Sequence, residues 1–299
     1  MKKLILLCLM LLLLSGCTQA PENDKIKVTA TLFPQYDFVL KIGGDKVDAS
    51  LLLPAGQESH LYDPSPRDMA NIAGSDIFIF TGEAMEGWAA DIADAVGERV
   101  LIVDASRGAH FIEGDEHDHG HDHDHEETSD PHIWLDFDNA KIMCENIAEA
   151  LIKVSPENRE YFESNLRAYE EELDALDESF RETLKNQTKA LVFGGRFALG
   201  YLTARYDIEY ISAYASCGAE AEPSAKDILT ITNYVNENDI KAVYCEEFSD
   251  PKVARTIAGE SAEVLVLHSA HNTSLSEREE GATFISIMRQ NLENIKKGL

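Results

Sequence analysis

From Lys25 onward, short runs of Val, Ile, Leu and Phe alternate with stretches whose apolar residues recur every third or fourth position. The runs predict strands at Ile26–Phe33, Val47–Leu53, Asp76–Phe80 and Val100–Val103. Between them the spacing predicts helices near Gln35–Ile42, Pro66–Ala73 and Glu86–Val96, with another at Asp138–Lys153. Strands that are apolar at nearly every position, separated by helices, imply a parallel sheet covered on both faces. The pattern then changes. Ser155-Pro156-Glu157 is a helix start, with Ser as N-cap and Pro at the first helical position. Apolar residues follow at Phe162, Leu166, Tyr169, Leu173, Leu176, Phe180 and Leu184, and neither Gly nor Pro interrupts before Gly194. That predicts one helix of about 30 residues, roughly 45 Å at 1.5 Å per residue. Beyond it the first pattern resumes, with strands at Lys189–Phe193, Glu209–Tyr214, Lys241–Glu246 and Glu263–Leu267. Helices near Phe197–Tyr206, Ser224–Asn236, Pro251–Ser261 and Gly281–Lys297 accompany them. The expected fold class is α/β. Two α/β lobes with parallel sheets, residues 26–154 and 188–299, are joined by one long bridging helix over 155–187. Such sheets bind ligands outside the carboxyl ends of their strands, which places the expected site in the interlobe crevice.

The first residues change the picture of where the chain works. Met1-Lys2-Lys3 is a positive start, and Leu4 to Leu14 is an apolar run too short to span a bilayer, which is the layout of a secretory signal. Leu14-Ser15-Gly16-Cys17 resembles a bacterial lipobox. Residues 1–16 are then a signal peptide, Cys17 is the lipid anchor and 17–25 form a tether. The expected location is the extracytoplasmic face of the cell membrane, where disulfides are permitted. Of the three cysteines beyond Cys17, Cys144 lies in a helical pattern and reads as a buried thiol. Cys217 and Cys245 each sit near the end of a predicted strand and are expected to pair. The chain has 299 residues, enough for two domains, and 44% hydrophobic residues, enough for a core. A formal net charge of -28 argues against nucleic acid as a partner and suits a cationic ligand.

Histidine supplies the candidate chemistry. His117, His119, His121, His123 and His125 alternate with acidic residues and glycine in a tract, 115–127, that is too polar to repay the entropy of ordering it. Such tracts are metal-binding compositions, so these five are expected to capture metal as accessory sites. Directly after the tract, Asp130-Pro131-His132 runs into Ile133-Trp134-Leu135-Asp136, which holds one histidine against apolar surface. Asp130 or Asp136 can take its second ring N–H and fix the tautomer. His60 sits after the second predicted strand in a turn stiffened by Pro64 and Pro66. His268 ends the last predicted strand and His271 follows three residues on. Both are candidate ligands. His268 is the expected one, and His271 reads more readily as a plain loop residue.

At these residues the chain resembles the lipid-anchored, metal-binding solute receptors of bacterial zinc and manganese ABC importers. The resemblance covers essentially the whole mature chain and rests on His60-Leu61-Tyr62-Asp63-Pro64-Ser65-Pro66, Asp130-Pro131-His132-Ile133-Trp134-Leu135 and Glu222-Pro223-Ser224-Ala225-Lys226. The acidic His-rich tract is similar to the zinc-specific branch. The resemblance implies two lobes on a rigid helix with metal between them, and His60 and His132 match the first two ligand positions. At the third position Arg196 stands in Gly194-Gly195-Arg196-Phe197, and a guanidinium has only donors and cannot coordinate a cation. Arg196 is therefore expected to be structural, paired with Glu222, Glu246 or Glu247, while His268 takes the fourth position.

The expected function is a zinc-binding receptor, a monomer and not an enzyme, that delivers Zn2+ to an ABC importer membrane permease. Imidazole ligands favour zinc over manganese, although other divalent transition metals are accepted by nitrogen. Two alternatives stay open on sequence. One is a surface zinc-dependent adhesin or metal buffer, which the Cys17 anchor fits equally well. The other is a zinc hydrolase, for which three histidines and an open position suffice but for which no general-base spacing is present.

Overall fold

A computed structural model describes residues 25–60, 62–112, 129–214 and 222–299. The Cys17 anchor, the five-histidine tract and Cys217 lie outside the described residues. The first lobe has strands β1 (Ile26–Ala30), β2 (Val47–Leu51), β3 (Ile77–Phe80) and β4 (Leu101–Asp104), all parallel in the order β2-β1-β3-β4. The second has β5 (Leu191–Phe193), β6 (Tyr210–Ser212), β7 (Ala242–Cys245) and β8 (Glu263–Val266), all parallel in the equivalent order β6-β5-β7-β8. Both lobes thus repeat one topology. Several strands are shorter than the apolar runs predict. β1 stops at Ala30 because helix α1 (Phe33–Gly43) starts at Phe33 with Pro34 in its first turn, and a ring that fixes φ suits a helix start rather than a ladder.

Helices α2 (Pro66–Ala73) and α3 (Ala89–Val96) cover the outer face of the first sheet, packing Ile72 and Ile92 on Phe78 and Phe80. Helix α4 (Phe137–Val154) covers the inner face, and Asp136 caps it by accepting from the backbone N–H groups of Asp138 and Asn139. The long helix, α5 (Arg159–Leu184), has 26 residues, about 39 Å, and is preceded by a 3-10 turn over Pro156–Asn158. It is shorter than predicted because the first turn, Pro156–Asn158, is 3-10 and Asn158, with φ -98 and ψ 11, leaves helical geometry before α5 begins, while the helix ends at Leu184. Its buried stripe, Phe162, Tyr169, Leu173, Leu176, Phe180 and Leu184, matches the predicted spacing. In the second lobe α6 (Gly200–Arg205), α7 (Ala225–Glu237) and α8 (Lys252–Ala258) flank the sheet. A short helix, α9 (Leu275–Glu279), was not in the predicted set, although Ser274 and Glu277 form a capping box that marks it. The last helix is α10 (Phe284–Gly298).

The apolar interior is shared between the lobes. One cluster includes Val28 and Ile79 of the first sheet, the α5 stripe, and Phe193 and Tyr244 of the second. Smaller clusters lie on the outer faces. Cys144 is a buried free thiol, as the helical pattern implies. Cys245 is also buried, and among the described residues it is bonded to no other cysteine; its Sγ lies against the Leu265 carbonyl at 3.8 Å, and its expected partner, Cys217, lies outside the described residues.

Two polar knots join all three parts. Asp37 on α1 accepts from Tyr169 Oη–H of α5 at 3.3 Å and from the Phe284 N–H of α10 at 3.0 Å. On the other side, Arg205 of α6 reaches Asp136 and Asp138 of the first lobe, both at 2.9 Å, and Asp177 of α5 at 2.7 Å. Burial alone would raise the Asp177 carboxyl, but the Arg205 and Tyr206 hydrogen bonds outweigh it and hold the pKa at about 2. Arg205→Ala would leave Asp136 without its cation and leave Asp177 and Asp138 with only Arg181 and Lys141. The expected loss is roughly 2–3 kcal/mol, somewhat below that for a fully buried pair, read as a lower urea midpoint at pH 7.

Candidate metal centre

The loops at the carboxyl ends of β2, β4 and β8 converge between the lobes. His60 comes from the loop after β2, where Glu58 Oε1 accepts the backbone N–H groups of Ser59 and His60 at 2.9 and 3.2 Å. His132 precedes a buried 3-10 turn, Ile133–Leu135. His271 comes from the loop after β8, where Ala270 takes a left-handed conformation at φ 62. That conformation is uncommon for a residue with a Cβ and belongs to functional loops more often than to regular elements. The bend turns the chain back into the crevice. His271 is tied to the first lobe by its own carbonyl, which accepts the Phe33 N–H at 3.0 Å. Asn272 continues the seam by donating to the carbonyls of Pro54 and Gln57 at 2.6 and 3.0 Å.

Among the described residues, His60, His132 and His271 form a group whose nitrogens all lie within 4.8 Å of one another. The Nε2 atoms of His60 and His132 are 3.3 Å apart. His132 Nδ1 lies 2.6 Å from Asp130 Oδ1, which also accepts the His132 backbone N–H. A carboxylate can only accept here, so it holds the proton on Nδ1 and leaves the Nε2 lone pair facing the group. Gly200 allows this arrangement, since a Cβ there would come within 2.7 Å of Asp130 Oδ2. His271 Nε2 is buried without a hydrogen-bond partner. A buried nitrogen left unpaired is costly, and a cation between the three rings would satisfy it. The donor set therefore fits a metal ion.

The electrostatics favour the neutral form of two of the rings, His60 and His271. Burial, then the neighbouring His132, pushes the His60 pKa down to about 4, against the opposing pull of Glu58 and Asp130. Burial and the two adjacent imidazoles push His271 well below the ordinary histidine range. Trp134 packs edge-on to both His132 and His271, with ring centroids 5.6 and 5.2 Å away. Beside His271 lies a cleft of about 140 Å³, lined by Glu58 from the first lobe and by Arg196, Glu246 and Glu247 from the second.

His268 is not in this group, although it was the expected ligand. Its Nδ1 accepts the Ala270 N–H at 2.9 Å, and its ring lies between Glu247 at 3.4 Å and Glu277 at 3.5 Å. Burial opposes its charge, but the two carboxylates outweigh burial and raise its pKa. The structure places His271 beside His60 and His132 instead. Arg196 also differs from expectation. Its guanidinium faces Glu58 across the cleft at 3.8 Å, while Glu246 accepts its backbone N–H at 2.9 Å and Glu222 accepts from Tyr214 Oη–H at 2.9 Å. Both Arg196 and Glu58 are more than a third exposed, so the pair adds little stability.

The family described as ZnuA, zinc-uptake complex component A, periplasmic, matches residues 28–298. The chain belongs to this family. Among ZnuA relatives it is 35% identical over 284 residues to the high-affinity zinc uptake system protein ZnuA of Bacillus subtilis, covering 93% of this chain and 89% of that protein. It is 32% identical to the zinc-binding lipoprotein AdcA of Streptococcus pneumoniae, a longer protein of which it spans 61%. Among solved structures, the metal-dependent lipoprotein YcdH of B. subtilis is similar with a TM-score of 0.78 at 33% identity, covering 92% of this chain and 99% of that one. The Zn(II)-bound ZnuA-like domain of S. pneumoniae AdcA gives 0.77 at 29% identity, covering 92% and 98%. The two-lobed fold with its long helix is thus a ZnuA-family fold.

The depressed His60 pKa sets a sign for pH dependence. Between about 4 and the unfolded value near 6.5, the unfolded chain binds a proton that the folded metal-free protein does not. Stability from this group is complete above the unfolded pKa and is lost as pH falls through that window. Asp37 and Glu86, raised by burial to about 6 and about 7, contribute the opposite slope. The comparison is therefore between parent and His60→Gln. Urea unfolding of metal-free protein at pH 7 and pH 4.5 should show a smaller acid loss in the variant.

Proposed function

We propose that this protein is an extracytoplasmic zinc receptor that delivers its cargo to an ABC importer permease. The observation that carries the reading is the convergence of His60, His132 and His271, with a buried Nε2 on His271 that has no protein partner. Three imidazole nitrogens suit Zn2+ better than the oxygen-preferring Mn2+. The names of its relatives, zinc uptake protein and zinc-binding lipoprotein, support the same cargo. In this reading the ion is held without turnover, and the crevice binds rather than catalyses. Residues 1–16 are a removed signal and Cys17 the lipid anchor, so the receptor works as a tethered monomer at the membrane surface. Lobes 26–154 and 188–299 hold the site, and the bridging segment 155–187, which contains α5, keeps them in register. His117, His119, His121, His123 and His125 collect metal weakly and pass it to the centre.

Ligand and non-ligand histidines separate by titration. His132→Ala and His271→Ala should each weaken zinc at least 100-fold, about 2.8 kcal/mol, in competition with a fluorescent chelator. His268→Ala should stay within about threefold, because its ring is outside the group. Parent-like binding by His271→Ala would overturn the assignment. Removing residues 115–127 should abolish weak additional sites in calorimetry and leave the tight one; loss of the tight site would sink the division between collector and centre.

A further inference from the structure

His271 and His132 are both held by an acidic group, but by different routes. Asp130 touches His132 Nδ1 directly. On the second lobe a serine stands between. Ser269 Oγ lies within hydrogen-bond reach of both Glu247 Oε1 and His271 Nδ1. The Glu247 carboxylate also accepts the Ser269 backbone N–H through Oε2 at 2.8 Å. All three groups are buried, with Glu247 8% exposed at its side chain, Ser269 3% and His271 7%.

Counting protons determines the direction of each bond. Serine has one hydroxyl hydrogen, and an ionised carboxylate has none to give. The Ser269 hydrogen must therefore point to Glu247, and Ser269 Oγ is left to accept. Only a His271 ring with its hydrogen on Nδ1 can then complete the contact. A neutral imidazole carries one N–H, so His271 Nε2 is left with its lone pair, and Nε2 is the buried atom without a partner. The His268 ring, 3.4 Å from Glu247 and 3.5 Å from Glu277, braces the far side of the chain.

We infer that Glu247 and Ser269 are positioning residues: together they fix the Nδ1–H tautomer and ring direction of His271, so that its Nε2 is presented to the ion. This rests on the reading of His271 as a ligand. It also gives His268, which the sequence singles out, a place behind the centre rather than in it. Neighbours that orient a metal-binding histidine typically contribute 10–100-fold in affinity. A relay through one hydroxyl belongs at the lower end of that range.

The test uses the full mature protein, with zinc alone as the probe. Nitrogen-15 histidine spectra of metal-free protein, assigned by the signal lost in His271→Ala, should show parent His271 as the Nδ1–H form. Ser269→Ala removes the acceptor. Glu247→Ala keeps the hydroxyl but frees its hydrogen to turn towards Nδ1. Both should admit the Nε2–H tautomer and weaken zinc roughly tenfold, with thermal melting confirming that they fold. Should Ser269→Ala fail to fold, Glu247→Ala carries the test alone. Retention of the Nδ1–H form in a folded variant overturns the inference, even if affinity falls, because the role would then be packing. Parent-like affinity in His271→Ala would instead overturn the ligand assignment.

Discussion

Trp134 donates its indole N–H to the carbonyl of Ser269 at 2.8 Å, across 135 positions of sequence and from one lobe to the other. The ring is fully buried, so water cannot replace this bond. It joins the segment that carries His132 to the segment that carries His271, and both rings pack against the same indole. Three desolvated imidazoles have no attraction for one another when neutral and repel when protonated. Something else must hold them within reach before any ion arrives. That work falls to the Trp134–Ser269 contact, the Phe33–His271 backbone bond and the Asn272 seam.

The same requirement explains why the apolar interior is not divided into two. A centre built from three loops on two lobes is only as well defined as the angle between those lobes. Here α5 buries one stripe against α1 and α4 of the first lobe and α10 of the second, and Asp37 and Arg205 pin α5 to each lobe from opposite sides. Separating the lobes widely would expose shared core and strand buried charges. The crevice loops also hold a left-handed Ala270 and a loose, exposed pair between Glu58 and Arg196, the latter from the loop after β5.

Most of the scaffold was legible because its signals are local. Apolar runs bounded by helical spacing locate the strands, and the seven-residue stripe from Phe162 to Leu184 identifies the long helix. Errors cluster at element ends, where turn formers decide: Pro34 begins α1 early, the 3-10 turn Pro156–Asn158 delays α5, and the Ser274–Glu277 box adds α9. The Arg196 partner was missed for a different reason. Glu58 is far away in sequence and is brought near only when the lobes meet.

The centre itself divides along the same line. Sequence alone determined that His60 and His132 would sit in stiff, proline-flanked turns at strand ends, with Asp130 two residues from His132 to hold its ring. It also pointed to the segment 268–271 for the histidine that joins them. Which of the two histidines faces the crevice was decided only by tertiary structure. A side chain's direction depends on the backbone dihedrals beneath it, and those were set by contacts with the other lobe. Ala270 is bent, Ser269 is held under Trp134 and beside Glu247, and His271 is bonded to Phe33. His268, at the strand end where a ligand was expected, turns instead towards two carboxylates.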